Sequence, residues 1–139
     1  MNNNKTIFIS ASICAPIKKV WTAWVEPEHV VNWNHASDDW ITGKAENNLV
    51  IGGKFSYRME AKDGSAGFDF WGIYTNIEKY KSIEYTLGDN RKVTVSFKEN
   101  GSNVVIEEYF EAENQNSIDL QRNGWQAILN NFKYYVEKL

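Results

Sequence analysis

Apolar residues recur along this chain with two different periods, and the change of period divides it. Between Ser117 and Leu139, the residues Ile118, Trp125, Ile128, Leu129, Phe132, Val136 and Leu139 recur at spacings of three, four and seven. That spacing places them on one face of a single long helix. Gln126, Asn130, Lys133 and Glu137 fall on the other side, where the pattern predicts solvent. Asn116 and Ser117 suit an N-cap, and Asp119 suits the positive end of the helix dipole. At ~1.5 Å per residue the helix spans roughly 33 Å, enough to cross a small domain.

Upstream the period falls to two. Ile7, Ile9 and Ala11 alternate with Phe8, Ser10 and Ser12, which predicts a strand over 5–13. Pro16 then opens a short amphipathic helix through Val25, and Pro27 opens a second carrying Val30, Val31 and Trp33. Residues 34–48 show no clean period and read as a polar and aromatic loop containing His35, Ser37, Asp38, Asp39 and Trp40. From Leu49 a meander of about five or six strands follows. Its predicted inner faces carry Phe55, Tyr57 and Met59, then Phe68, Phe70 and Tyr74, then Tyr85 and Phe97. Asp63-Gly64, Gly88-Asp89-Asn90 and Asn100-Gly101 supply the turns.

The reading is an α+β chain: a curved antiparallel sheet of about six or seven strands, two short helices after strand 1, and a long C-terminal helix over the concave face. A single helix covers a strip only ~10–12 Å wide. A strongly curved sheet beneath it leaves space, so a hollow core is plausible on physical grounds.

Composition narrows the function classes. A chain of 139 residues is one domain, 1–139, by the usual length prior. The net charge of −3 and the absence of a basic cluster argue against nucleic acid. No apolar run approaches a membrane helix, and Met1 to Lys5 is polar, unlike a signal peptide. With its single cysteine, Cys14, the chain fits a reducing cytoplasmic compartment. Aromatic residues make up 14% of it, including six tryptophans, which serve either packing or a ligand pocket.

Ala15-Pro16 with Val20-Trp21, the Gly52-Gly53-Lys54-Phe55 strand entry and Gly124 to Leu129 with Phe132 together resemble the START-like helix-grip superfamily (SRPBCC, Bet v 1-like). Within it, the chain is similar to the bacterial branch named after the C-terminal domain of the activator of Hsp90 ATPase. The resemblance rests on Ala15-Pro16 followed by Val20-Trp21, on Trp33, and on Gly52-Gly53-Lys54-Phe55. It continues through Asp63-Gly64 and Phe68-Asp69-Phe70 to Gly72, and is best at Gly124 to Leu129 with Phe132. It covers nearly the whole chain. The resemblance implies a cavity between the long helix and the sheet that takes hydrophobic small molecules. Relatives also include polyketide cyclases and chaperone regulators, so fold alone does not choose a function.

Weighed singly, most candidate chemistry reduces to structure. His29 and His35 lie on different elements far from Cys14, so no zinc-type spacing exists, and no metal or cofactor is expected. Cys14 reads as a small buried residue. His35 with Asp38 and Asp39 forms either an acid/base group or an ordinary loop with a capped turn, the second being favoured. Gly124, inside the long helix, serves close packing or opens space. Trp71, on the outer face, is either a surface aromatic or part of a dimer contact.

Glu108 is the most informative residue. It shares parity with Val104, Ile106 and Phe110, so this face carries a carboxylate into the core, unless a bulge turns Val105 and Tyr109 inward instead. The expected ligand-binding set is Trp33, Trp40, Phe55, Tyr57, Met59, Phe68, Phe70, Tyr74, Tyr85, Phe97, Glu108, Trp125 and Leu129. Glu108, His35 and Tyr57 are the catalytic candidates. Binding of a small hydrophobic molecule ranks first, by a monomer or homodimer without membrane insertion. A cyclase-like or hydrolase-like enzyme ranks second, and a chaperone-contacting regulator third.

Overall fold

The computed structural model describes residues 5–139; the polar stretch read from Met1 to Lys5 lies outside them save for Lys5. Seven strands form one antiparallel sheet: β1 (Thr6–Ile13), β2 (Trp40–Asn47), β3 (Lys54–Ala61), β4 (Gly67–Glu78), β5 (Ser82–Leu87), β6 (Lys92–Asn100) and β7 (Asn103–Glu111). The helices are α1 (Ile17–Val25), α2 (Pro27–Trp33) and α3 (Ile118–Glu137). The strand order is β1-β7-β6-β5-β4-β3-β2, a six-strand meander with the first strand added beside the last. The sheet curls into a half-barrel whose inner face packs on the helices, so the α+β helix-grip expectation holds.

Alternation decides which side chains enter the core. Phe55, Tyr57 and Met59 on β3, Ile83, Tyr85 and Leu87 on β5, and Val93, Val95 and Phe97 on β6 are all buried. On β7 the buried set is Val104, Ile106, Glu108 and Phe110. Val105 is half-buried and Tyr109 is exposed, so no bulge inverts this strand. On β4 the pattern decays toward the strand start, and Phe68 is 48% exposed where the sheet runs out beyond the helix.

Three local expectations are corrected. Residues 40–47 form an edge strand rather than a loop. Its alternation is hidden because the register slips between Thr42 and Lys44 and most of its side chains are polar. Cys14 is exposed, because it lies just past the end of β1, beyond the last buried position, Ile13. Leu139 is also exposed, since α3 stops at Glu137 and the apolar stripe ends with it.

The polar flank of α3 differs too, and this difference bears on stability. Gln126 donates from Nε2 to the Ser10 carbonyl (3.1 Å), and Lys133 donates from Nζ to the Ser12 carbonyl (2.6 Å). Glu137 Oε2 accepts the Cys14 N–H (2.8 Å) and a second bond from Lys133 (2.8 Å). Because β1 is an edge strand, its outer N–H and C=O groups lack a strand partner. The helix flank read as solvated instead satisfies them, clamping α3 along the edge of the sheet.

Trp71 on the convex face finds a partner within the chain. Its ring covers Gly88, where a Cβ would fall 2.5 Å from the indole, and the Lys54 ammonium lies 4.7 Å above the ring centre. Among the described residues, no helix is long and apolar enough to cross a membrane.

Candidate functional site

Between the concave face and α3 lies a cavity of about 160 Å³. The sheet contributes Phe55, Tyr57 and Met59 from β3, Phe68, Phe70 and Tyr74 from β4, Ile83 and Tyr85 from β5, and Glu108 from β7. Trp125, Ile128 and Leu129 form its roof from α3, while Trp24, Trp33 and Asn34 close the end under α1 and α2. Most of these follow directly from the two periods, period two for the floor and period 3.6 for the roof.

Aromatic packing shapes the walls. Trp24 and Trp33 stack with centroids 5.1 Å apart, and both meet Phe132 edge-on at 4.9 and 4.8 Å. Phe55 sits among Tyr57, Phe70, Tyr74 and Tyr85, with centroids 4.9–5.7 Å away. Gly72 makes this cluster possible, since a Cβ there would fall 2.9 Å from the Phe55 ring. Trp125 stacks flat on Phe110 and meets Phe70 edge-on.

A few polar groups face this apolar space. Glu108 is 5% exposed, and among the described residues no hydrogen-bond donor reaches its carboxyl. Burial alone pushes its pKa up to about 8, because a carboxylate in a low-dielectric site loses its hydration. Tyr85 is raised well above the usual phenol range by burial, and next by the neighbouring Glu108 charge. Tyr57 is raised by burial and by Tyr74. The Tyr74 hydroxyl donates to Asn47 Oδ1 at 2.6 Å. Asn34 is held by Thr42 on β2, to which its Nδ2 donates at 3.2 Å. The phenols thus remain protonated at neutral pH, and Glu108, with its pKa pushed up to about 8, mostly holds its proton there.

Several expected residues lie elsewhere. Phe97 is buried but does not line the cavity, because Trp21 and Trp24 cover it at 5.2 and 5.8 Å. Trp40 begins the edge strand and contacts Phe68 from outside (6.0 Å). His35 does not reach the cavity: its carbonyl accepts from Asn131, and its Nδ1 is buried without a partner among the described residues. Asp38 and Asp39 are exposed, and Ser37 hydrogen-bonds Asp39 in the turn. Among the described residues, no cluster of three His, Cys, Asp or Glu could hold a metal ion.

The residues missed by sequence reasoning are Trp24, Asn34, Ile83 and Ile128. Trp24, Ile83 and Ile128 sit at core-facing positions of their periods, so periodicity identified them as apolar without distinguishing void from solid core. Asn34 carries no such signal.

A second, more open pocket of about 250 Å³ adjoins the cavity through Phe68, Phe70 and Trp125. Gly124 lines it, and a Cβ there would meet nothing within 4 Å. The glycine therefore opens space and does not serve close packing.

The comparisons agree with this architecture. Residues 14–137 match the family described as Activator of Hsp90 ATPase homolog 1-like protein. The solution structure of an AHSA1-like protein from Aeromonas hydrophila is 42% identical, with TM-score 0.91 over 96% of this chain and 93% of that one. A protein from Cytophaga hutchinsonii is 45% identical, with TM-score 0.84 over 96% and 92%. A more distant Chromobacterium violaceum protein, 20% identical, shares the fold with TM-score 0.85 over 96% and 98%. No curated protein matches the chain. With the profile match spanning nearly every described element and close agreement in fold, this chain belongs to the Activator of Hsp90 ATPase homolog 1-like family.

Proposed function

We propose that this protein binds a small hydrophobic molecule, aromatic or lipid-like, in the cavity between the sheet and α3. One observation carries the reading: an apolar void of about 160 Å³ coincides with a buried carboxyl that lacks a hydrogen-bond partner among the described residues. A void of this size costs up to about 4 kcal/mol at ~24 cal/mol per Å³. A lone buried carboxyl adds a desolvation cost. Two uncompensated costs at one place fit a site whose compensation comes from a ligand.

Titration with an apolar fluorescent probe tests this. Saturable binding at one site per chain, with a change in Trp125 emission, is expected. Leu129→Phe, which fills the cavity from its roof, should abolish that binding in a protein that still folds. Probe binding that does not saturate, or that survives the filled variant, would overturn the reading. Native mass spectrometry of freshly purified protein adds the mass of any co-purifying molecule.

The family description favours a second reading, contact with a chaperone of the Hsp90 class. Stimulation of that chaperone's ATP turnover by the purified protein would support it. Unchanged turnover at saturating protein would remove it.

A further inference from the structure

We propose that the cavity takes a small organic amine, held as its ammonium ion between the Glu108 carboxylate and the surrounding ring faces. This deepens the binding function proposed above and rests on it.

The surroundings of Glu108 carry the inference. Its register neighbours, Ile9 on β1 and Val95 on β6, are apolar and buried. From α3 the cavity receives Trp125, Ile128 and Leu129. The titratable groups facing the space from other strands are Tyr57, Tyr74 and Tyr85, all phenols held protonated. Arg91, whose field reaches Tyr85, lines the outer pocket and is bound to Asp89 at 2.7 Å. No lysine, arginine or histidine is among the residues lining the inner cavity.

Three ligand charges can be weighed against that arrangement. An anion would meet one carboxyl and no compensating cation, so it is disfavoured. A neutral acceptor can take the proton of the Tyr85 hydroxyl or of protonated Glu108, since the Tyr74 proton is already given to Asn47, but it leaves the carboxylate form uncompensated. A cation recovers that cost. It pairs with the one carboxyl among the lining side chains, in a cavity whose walls include the aromatic rings of Phe55, Phe70, Tyr85 and Trp125, groups that attract cations. An apolar cavity of about this volume accommodates a single benzene ring, so the fitting ligand is a one-ring or similarly small amine. Binding exchanges protons simply. Below the Glu108 midpoint the ammonium enters and the carboxyl proton leaves to solvent.

Calorimetric titration with benzylamine, benzyl alcohol and benzoate separates the possibilities. Benzylamine should bind about tenfold more tightly than benzyl alcohol, and benzoate most weakly. At about pH 6.5, titrations in buffers of different ionisation enthalpy should show release of close to one proton with benzylamine only. Glu108→Gln should remove the benzylamine advantage and leave benzyl alcohol binding in place. Should that variant fail to fold, proton release by the unmodified protein decides alone. Equal binding of amine and alcohol without proton release would overturn the amine inference while the cavity reading stands. Tightest binding of benzoate would overturn it as well. Failure of all three probes to bind would remove the cavity reading and this inference together.

Discussion

The Trp125 ring lies on Phe110 with centroids 3.8 Å apart and planes 7° from parallel, joining the middle of α3 to the concave face of β7. Phe110 is fully buried, whereas Trp125 is half-buried and borders both pockets. One contact thus anchors the helix and forms the partition between inner cavity and outer pocket. Trp125→Ala should destabilise the protein by ~3 kcal/mol and should merge the two spaces. Urea denaturation gives the first quantity. The second appears as weaker, less selective probe binding.

Phe132 and Leu129 occupy the same stripe of α3, yet their surroundings differ. Phe132 is enclosed by Trp24 and Trp33, while Leu129 borders the cavity. Phe132→Ala should therefore cost ~3–5 kcal/mol, and Leu129→Ala about 2 kcal/mol, near the low end for leucine. Equal losses in urea melts would mean that the roof is packed solid.

Glu108 should make stability depend on pH with an unusual sign. Its pKa rises from the ordinary 4.5 to about 8 in the folded state, so between those values the folded protein holds a proton that the unfolded chain has released. Raising the pH through that window therefore lowers stability, by a few kcal/mol in total. The contribution is complete below pH 4.5 and lost once the pH passes about 8. Glu108→Leu should flatten this slope and stabilise the empty protein at alkaline pH. Melts at several pH values check it, and a parallel slope in the variant would show that another group is responsible.

Gly124 and Gly72 make a matched pair of opposite sign. Alanine at 124 meets open space and improves helix propensity, so Gly124→Ala should stabilise by ~1 kcal/mol. Alanine at 72 would fall 2.8 Å from the Thr86 carbonyl and 2.9 Å from Phe55, so Gly72→Ala should destabilise and disturb the aromatic wall. Thermal melts of the two variants should move in opposite directions.

The clamp on β1 can be opened one bond at a time. Lys133→Met removes the donors to Ser12 and Glu137, and should cost ~1 kcal/mol for these partly exposed bonds. The Cys14 N–H, which donates to Glu137, should then exchange faster with deuterated solvent. Unchanged exchange there would show that the helix flank does not guard the strand edge.

Two periods in the sequence determined the α+β class, the order of the elements other than β2, and the inward parity of β3, β5 and β6. The reason is local: alternation and 3.6-residue spacing report which side of an element is dry. On β7 the parity pointed Glu108 inward unless a bulge intervened, and the unbroken register of the strand decided for the core. Most of the cavity lining was legible in the same way. Tertiary structure decided what local patterns do not encode. β2 was hidden because a bulge between Thr42 and Lys44 breaks its alternation and its buried position is a polar threonine. Gln126, Lys133 and Glu137, though still partly exposed, bond to the free edge of β1 because that edge arrives beside them, an event set by the curl of the sheet. Phe97 and Phe55 share the same parity, yet α1 covers Phe97 with tryptophan while Phe55 faces a void. Whether a buried face meets packing or empty space depends on what the opposite layer brings to it, and that is fixed only when the layers close.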